Sequence, residues 1–120
     1  MLELSNRRIF VCCQSVDMRK SFNGLSGIVM SDYGVDPRSG DAFVFIGKRK
    51  NLLKVLVWDR DGFWCCAKRL SRGYYKVPNI ETHTGNHCAV TMSVAEWNLL
   101  LDGIVMRDYK QLPRLRMEQV

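Results

Sequence analysis

Two β-prone runs, residues 52–58 and 63–70, flank Asp59-Arg60-Asp61-Gly62. This hairpin constrains the fold more than any other stretch. Asp and Gly suit a tight reversal, because glycine reaches φ > 0 without a steric penalty. The spacing predicts a type I turn closing on a bulge at Gly62.

The same region concentrates the charge. Residues 48–76 hold nine basic side chains, Lys48, Arg49, Lys50, Lys54, Arg60, Lys68, Arg69, Arg72 and Lys76, against Asp59 and Asp61, for a net +7. The whole chain is +6, so the remainder sums to −1. Basicity this local points to a site for a polyanion rather than to general solubility.

A chain of 120 residues, 47% hydrophobic and 25% charged, is sized and composed for one soluble globular domain with a real core. No run is long enough to span a bilayer. The N-terminal MLELSNRRIFVCC lacks the basic start and apolar core of a signal peptide, which reads as a mature, cytoplasmic protein without a membrane partner. Four of the five cysteines form adjacent pairs, Cys12-Cys13 and Cys65-Cys66. Strand neighbours point to opposite faces, so such pairs do not converge on one partner or metal. They read as reduced thiols.

Along the chain, residues 7–14 predict a first strand, with Ile9, Val11 and Cys13 on one side and Phe10 and Cys12 on the other. Ser15 or Asp17 then caps a helix over residues 18–32, its buried stripe being Met18, Phe22, Leu25 and Val29. Arg19 and Lys20 would lie in its first turn, where the helix dipole disfavours cations. There they could meet a phosphate together with free N–H groups, or simply be solvated. Gly24 and Gly27 suggest close packing on the sheet. Gly34 can end the helix. Turn residues 36–40 lead to a strand over 41–47, apolar on both faces and therefore central. Beyond the hairpin, residues 71–73 turn, 74–77 form a short strand stopped by Pro78, and 79–86 form a polar loop. Residues 88–92 make a last strand. Ser93 with Glu96 is a capping box for a helix whose apolar face is Val94, Trp97, Leu100, Leu101 and Ile104. The expected organisation is one α+β domain over residues 1–106, a mostly antiparallel sheet of about five strands with two packed helices, and a basic tail over 107–120.

Four ordered elements carry a family resemblance. Asp17-Met18-Arg19-Lys20-Ser21-Phe22-Asn23-Gly24-Leu25 resembles a DMRK-x-F-x-GL motif. Asp36-Pro37-Arg38-Ser39-Gly40-Asp41-Ala42-Phe43-Val44-Phe45 resembles DP-x-SG-x-x-FVF. Lys54-Val55-Leu56-Val57-Trp58-Asp59 with Gly62-Phe63, then Lys68-Arg69-Leu70, are similar to K-x-L-x-WD, GF and KRL elements. Together they resemble the TnpB accessory proteins of bacterial insertion sequences of the insertion sequence sixty-six type. Residues 93–104 resemble the closing helix of that family. The resemblance implies an accessory role in transposition beside a separate transposase that carries the acidic catalytic residues. Tyr74-Tyr75-Lys76-Val77-Pro78 departs from an R-F-x-W-P-like run, and the tail matches no motif.

Other chemistries have weaker support. Two-metal phosphoryl transfer needs several converging carboxylates; Asp59 and Asp61 are explained by a turn, and Lys68 follows Cys66-Ala67 rather than an acid-x-Lys signature. His83 and His87 have an H-x-x-x-H spacing but no C-x-x-C to complete a zinc site. A Cys-His nucleophile pair has no feature to orient it. No catalytic residue, metal or other cofactor is expected. Lysine and arginine neutralise phosphates and release counterions, which makes DNA the expected partner of Lys48, Arg49, Lys50, Lys54, Lys68, Arg69 and Arg72, with Arg19 and Lys20 as secondary contacts. Lys54 and Lys68 on neighbouring strands would form one stripe. Trp58, Trp64, Tyr74 and Tyr75 interleave the charge and could stack on unpaired bases or pack as core. The alternative is an adaptor that docks the transposase, with the Trp97 helix as its apolar anchor.

Overall fold

The computed structural model describes residues 3–77 and 89–103. The elements run β1 (Ile9–Cys12), α1 (Phe22–Tyr33), β2 (Ala42–Ile46), β3 (Leu52–Asp59), β4 (Gly62–Arg69), β5 (Ala89–Met92) and α2 (Val94–Asp102). The five strands form one sheet in the order β4-β3-β2-β1-β5. Among the described residues only the β1–β2 pair is parallel, with α1 in the crossover; the other three are antiparallel. The fold is α+β, as the sequence predicts.

The alternation of side chains along each strand assigns two cores. Ile9, Val11, Val44, Ile46, Leu53, Val55 and Val57 face α2, where Trp97 and Leu100 cover them together with Leu4 and Tyr75. Cys12, Phe43, Phe45 and Leu56 face α1 and pack against Leu25 and Val29. All five residues of β2 are buried, as a central strand requires. Truncating Phe45, fully buried, to Ala would cost about 3–5 kcal/mol. Among the described residues no helix is long and apolar enough to cross a membrane.

Local chemistry explains the element ends, and several differ from expectation. Ser93 and Glu96 form the capping box: the Glu96 N–H donates to Ser93 Oγ at 3.1 Å, and the Ser93 N–H to Glu96 Oε1 at 2.9 Å. These bonds hold the Glu96 carboxyl below the usual carboxylate range. Helix α1 begins at Phe22, after Ser21, rather than near Met18. Asp17 folds the preceding segment into a turn instead, accepting the Arg19 N–H at 2.9 Å while its carbonyl accepts the Lys20 N–H at 3.1 Å. Gly34, at φ +68°, closes α1 with its N–H on the Met30 carbonyl.

Gly24 gives room to Lys20, whose Cβ would be 3.0 Å from an added methyl group; Gly27 faces open space. Neither serves close contact with the sheet. Only Tyr74 forms a bridge where a short strand over 74–77 is expected. The chain there satisfies itself differently: the Tyr75 N–H donates to the Lys50 carbonyl, and the Tyr75 hydroxyl to the Lys68 carbonyl at 2.9 Å. The expected stop at Pro78, the polar loop with His83 and His87, and the basic tail lie outside the described residues.

The hairpin reverses through two residues, Arg60 and Asp61, with Asp59 opposite Gly62. The positive φ falls on Arg60, at 55°, not on Gly62. The Asp61 N–H donates to the Asp59 carbonyl at 2.6 Å, the hydrogen bond of a γ-turn. The predicted type I turn with a glycine bulge is therefore replaced by a tighter reversal.

Candidate nucleic-acid interface

Topology collects the cations at one end of the sheet. The parallel strands β1 and β2 both finish there, at Cys12 and Ile46. Antiparallel pairing then starts β3 at that end and finishes β4 there, with Leu52 opposite Arg69. The β2–β3 turn carries Lys48, Arg49 and Lys50, all exposed. The entry to α1 is anchored at the same end by the Val16 N–H on the Ile46 carbonyl at 3.2 Å, which places Arg19 and Lys20 nearby. The segment after β4 folds back on the turn: the Leu70 N–H donates to the Asn51 carbonyl at 2.8 Å, and the Tyr75 N–H to the Lys50 carbonyl at 2.6 Å. Arg72, exposed, is carried between them.

The turn itself is held in an unusual conformation. Lys50 has φ +62°, a left-handed geometry that costs a non-glycine residue roughly 1–2 kcal/mol. The Lys50 N–H closes on the Gly47 carbonyl at 2.9 Å, and the Gly47 N–H on the Leu52 carbonyl at 3.0 Å. A methyl group on Gly47 would sit 2.5 Å from Met18 Cγ, so the turn packs tightly beneath the entry to α1.

Register separates two residues expected to act together. Lys54 is opposite Ala67, and Lys68 is opposite Leu53. Lys54 therefore shares the α1 face with Arg69, while Lys68 projects to the α2 face. No single Lys54–Lys68 stripe forms, because the tighter hairpin moves the pairing by one residue and so changes the face. Each lysine also has an internal role. Lys54 Nζ donates to the Lys20 carbonyl at 2.7 Å, fastening the entry of α1 to β3. Lys68 Nζ donates to the Leu101 carbonyl at 2.9 Å, placing a cation at the C-terminal end of α2, where the helix dipole favours it. Arg19 and Lys20 precede the helix rather than occupying its first turn.

The charges at this end are sparsely neutralised. Among the described residues its one ion pair is Arg19–Asp17, at 2.7 Å and two-pronged. The Arg19 side chain holds the Asp17 carboxyl far below the usual carboxylate range, helped by the Arg19 backbone N–H. Asp102 is exposed on the opposite, α2 face. Eight of the nine predicted contacts, all but Lys68, thus share this end or its α1 face, with Lys54 half-buried and the rest exposed.

The expected aromatic partners go elsewhere. Tyr75 is fully buried, and its hydroxyl is pushed upward in pKa by burial. Trp58 packs edge-on against Phe63 and under Arg38. Trp64 is exposed, but it lies on the α2 face toward the hairpin, its Nε1–H on Asp59. Tyr74 is half-buried. The exposed aromatic beside the cations is Phe22, 46% exposed, which the sequence pattern assigns to the buried stripe. Ser21, a common helix N-cap residue, marks the true helix start and is the signal that could have placed Phe22 at the helix end. Trp97 packs into the core rather than serving as a free anchor.

A cleft of about 1010 Å³ opens at the other end of the sheet, between Arg7, Arg8, Asp41, Asp59 and Trp64. Its arginines are paired with its aspartates: Arg8 grips Asp41 through two bonds of 3.0 and 2.9 Å, and Arg7 reaches Asp59 at 3.6 Å. An apolar groove of about 710 Å³ runs between α2 and the β3–β4 face, lined by Leu53, Val55, Ala67, Trp97 and Leu101 among others. Among the described residues no three His, Cys, Asp or Glu side chains come together as a metal-binding group.

Fold and site define a small α+β protein with a sheet wrapped by two helices and a cationic end built from turns. The family model described as IS66 Orf2 like protein matches residues 7–111, and the chain belongs to that family, an accessory-protein family of insertion-sequence transposition. The uncharacterized protein y4jC of Sinorhizobium fredii is 35% identical over 113 residues, covering 94% of this chain and 92% of the relative. The uncharacterized protein y4hO of the same organism is 34% identical over 102 residues, covering 85% and 84%. No solved structure matches the chain.

Proposed function

We propose that this chain is a non-catalytic accessory protein of insertion-sequence transposition whose cationic sheet end binds DNA phosphates. The carrying observation is the convergence of Lys48, Arg49, Lys50, Arg69 and Arg72, from separate turns and a strand end, with no acid paired to them among the described residues. Each such cation placed on a phosphate releases counterions, so affinity is high at low salt and falls steeply as salt rises. Phosphate contacts of this kind position a protein on DNA without reading sequence.

The test is fluorescence anisotropy of the purified protein with labelled DNA across a salt series. Binding with a steep salt slope, weakened in a variant combining Lys48→Ala, Arg49→Ala and Lys50→Gly, supports the reading. Absence of binding at low salt overturns it.

A second reading rests on the groove beside α2. Its apolar lining fits a helix or loop of the transposase, making the chain an adaptor between transposase and element. Under that reading the purified transposase binds this protein without DNA, and Val94→Glu at the groove abolishes the complex.

A further inference from the structure

Phe22 is the aromatic left uncovered at the cationic end, and its position is specific. By helical spacing it falls on the same face of α1 as Leu25 and Val29, the face turned to the sheet. Leu25 and Val29 are fully buried there, but Phe22 stands in the first turn and remains 46% exposed. The sheet beneath finishes with Leu52 and Arg69, and Lys54, two residues further in, projects on this same face. The Lys54 ammonium is fixed on the carbonyl of Lys20, two residues before Phe22. The Lys20 stem lies across Gly24, on the same turn. An apolar ring is thus presented to water at the end of the molecule where the backbone holds the Lys54 ammonium.

Duplex DNA offers such a ring little, since its bases are stacked and its backbone is polar. An unpaired base offers a flat apolar surface carried on a phosphate chain. That combination, an aromatic platform flanked by cations, is how single strands are held without sequence preference. We propose that the cationic end recognises unpaired DNA, with Phe22 stacking on an exposed base while Lys54, Arg69 and the β2–β3 turn hold the flanking phosphates. This rests on the phosphate-binding reading above and names the form of DNA that the site takes.

The experiment compares anisotropy titrations of short single-stranded, fully paired and forked DNA, using the wild type, Phe22→Leu, Phe22→Trp and the Lys48→Ala, Arg49→Ala, Lys50→Gly variant. Phe22→Leu keeps the apolar volume against the sheet, and a thermal melt matching the wild type verifies its fold. The expected result is wild-type preference for single-stranded and forked DNA. Phe22→Leu should lose about tenfold in single-strand affinity, with duplex affinity unchanged and Phe22→Trp at or above wild type. Equal single-strand affinity for Phe22→Leu and wild type overturns the stacking role while leaving the phosphate site standing. A charge variant that binds every DNA as the wild type does, or a wild type that binds none, overturns the phosphate site itself.

Discussion

The two ends of the sheet are both rich in arginine and lysine, yet the hairpin end answers its charges and the opposite end does not. Toward the hairpin, Arg7 donates to the carbonyls of Gly40 and Trp58 at 2.6 and 3.2 Å and faces Asp59; Arg8 holds Asp41; and Arg38 lies over the Trp58 ring. These side chains join the start of β2, the end of β3 and the approach to β1. At the other end backbone amides of Val16, Leu70 and Tyr75 do most of the joining, helped by Lys54 on the Lys20 carbonyl, and the side chains of Lys48, Arg49, Arg69 and Arg72 are left to solvent. Neutralised cations stitch a fold together. Cations whose segments are already stitched by amides are available to an outside anion.

The comparison can be broken most sharply at the β2–β3 turn. Removing Lys48, Arg49 and Lys50 should lower the slope of log affinity against log salt by about 2.7 if all three meet duplex phosphates, roughly a 500-fold loss at 0.1 M relative to 1 M salt. The melting temperature should not fall, because glycine at position 50 accepts the left-handed backbone without strain. The converse holds at the hairpin end. Arg7→Ala strands two carbonyls and Asp59, and should cost about 2 kcal/mol in a denaturant titration while leaving DNA affinity unchanged. An Arg7→Ala protein of full stability would dissolve the contrast.

Smaller changes sharpen it. Asp17→Asn keeps an oxygen for the Arg19 amide and releases the guanidinium, so DNA affinity should rise a few-fold at low salt. The same pair gives a pH signature. The Asp17 pKa is depressed in the folded protein, so its contribution to stability is complete above the unfolded carboxylate value near ~3.9 and is lost as pH falls below that. A carboxyl-resolved NMR titration should find Asp17 still ionised below the ordinary carboxylate range. Last, Gly27→Ala touches nothing and fills a helix interior, and should stabilise by about 0.5–1 kcal/mol with no change in binding.

Much of this was legible in the residues. The alternating apolar runs located β1, β2 and both arms of the hairpin, and a strand apolar on both faces announced the sheet centre. Ser93 with Glu96 announced α2, because a capping box is a local device that tertiary contacts rarely override. The charge count singled out the stretch that supplies most of the cationic end. What was not legible depended on single-residue offsets. A γ-turn at Arg60 in place of a glycine bulge shifts the strand pairing by one position, and a shift of one sends Lys68 to the other face. Asp17 is as good a helix cap by composition as Ser21, but its carboxylate is occupied by Arg19, so the helix starts later and carries Phe22 out to its end. Tyr75 looks like a strand residue and is instead a buried strut between Lys50 and Lys68, a contact between segments that no periodicity encodes.

The strand order has a consequence for the birth of the molecule. β1 pairs with β2 on one side and with β5 on the other, and the second pairing joins Ile9 to Met92. Of all the ladders, β3 with β4 closes the shortest loop, and β1 with β5 the longest. Long loops close late, because their entropy must be lost before the contacts repay it. In pulsed hydrogen exchange, the amides of β3 and β4 should gain protection before those of β5. On a ribosome, β1 must wait with one edge bare until the last strand has emerged, so the β1 edge is the surface a nascent chain has most need to keep from its neighbours.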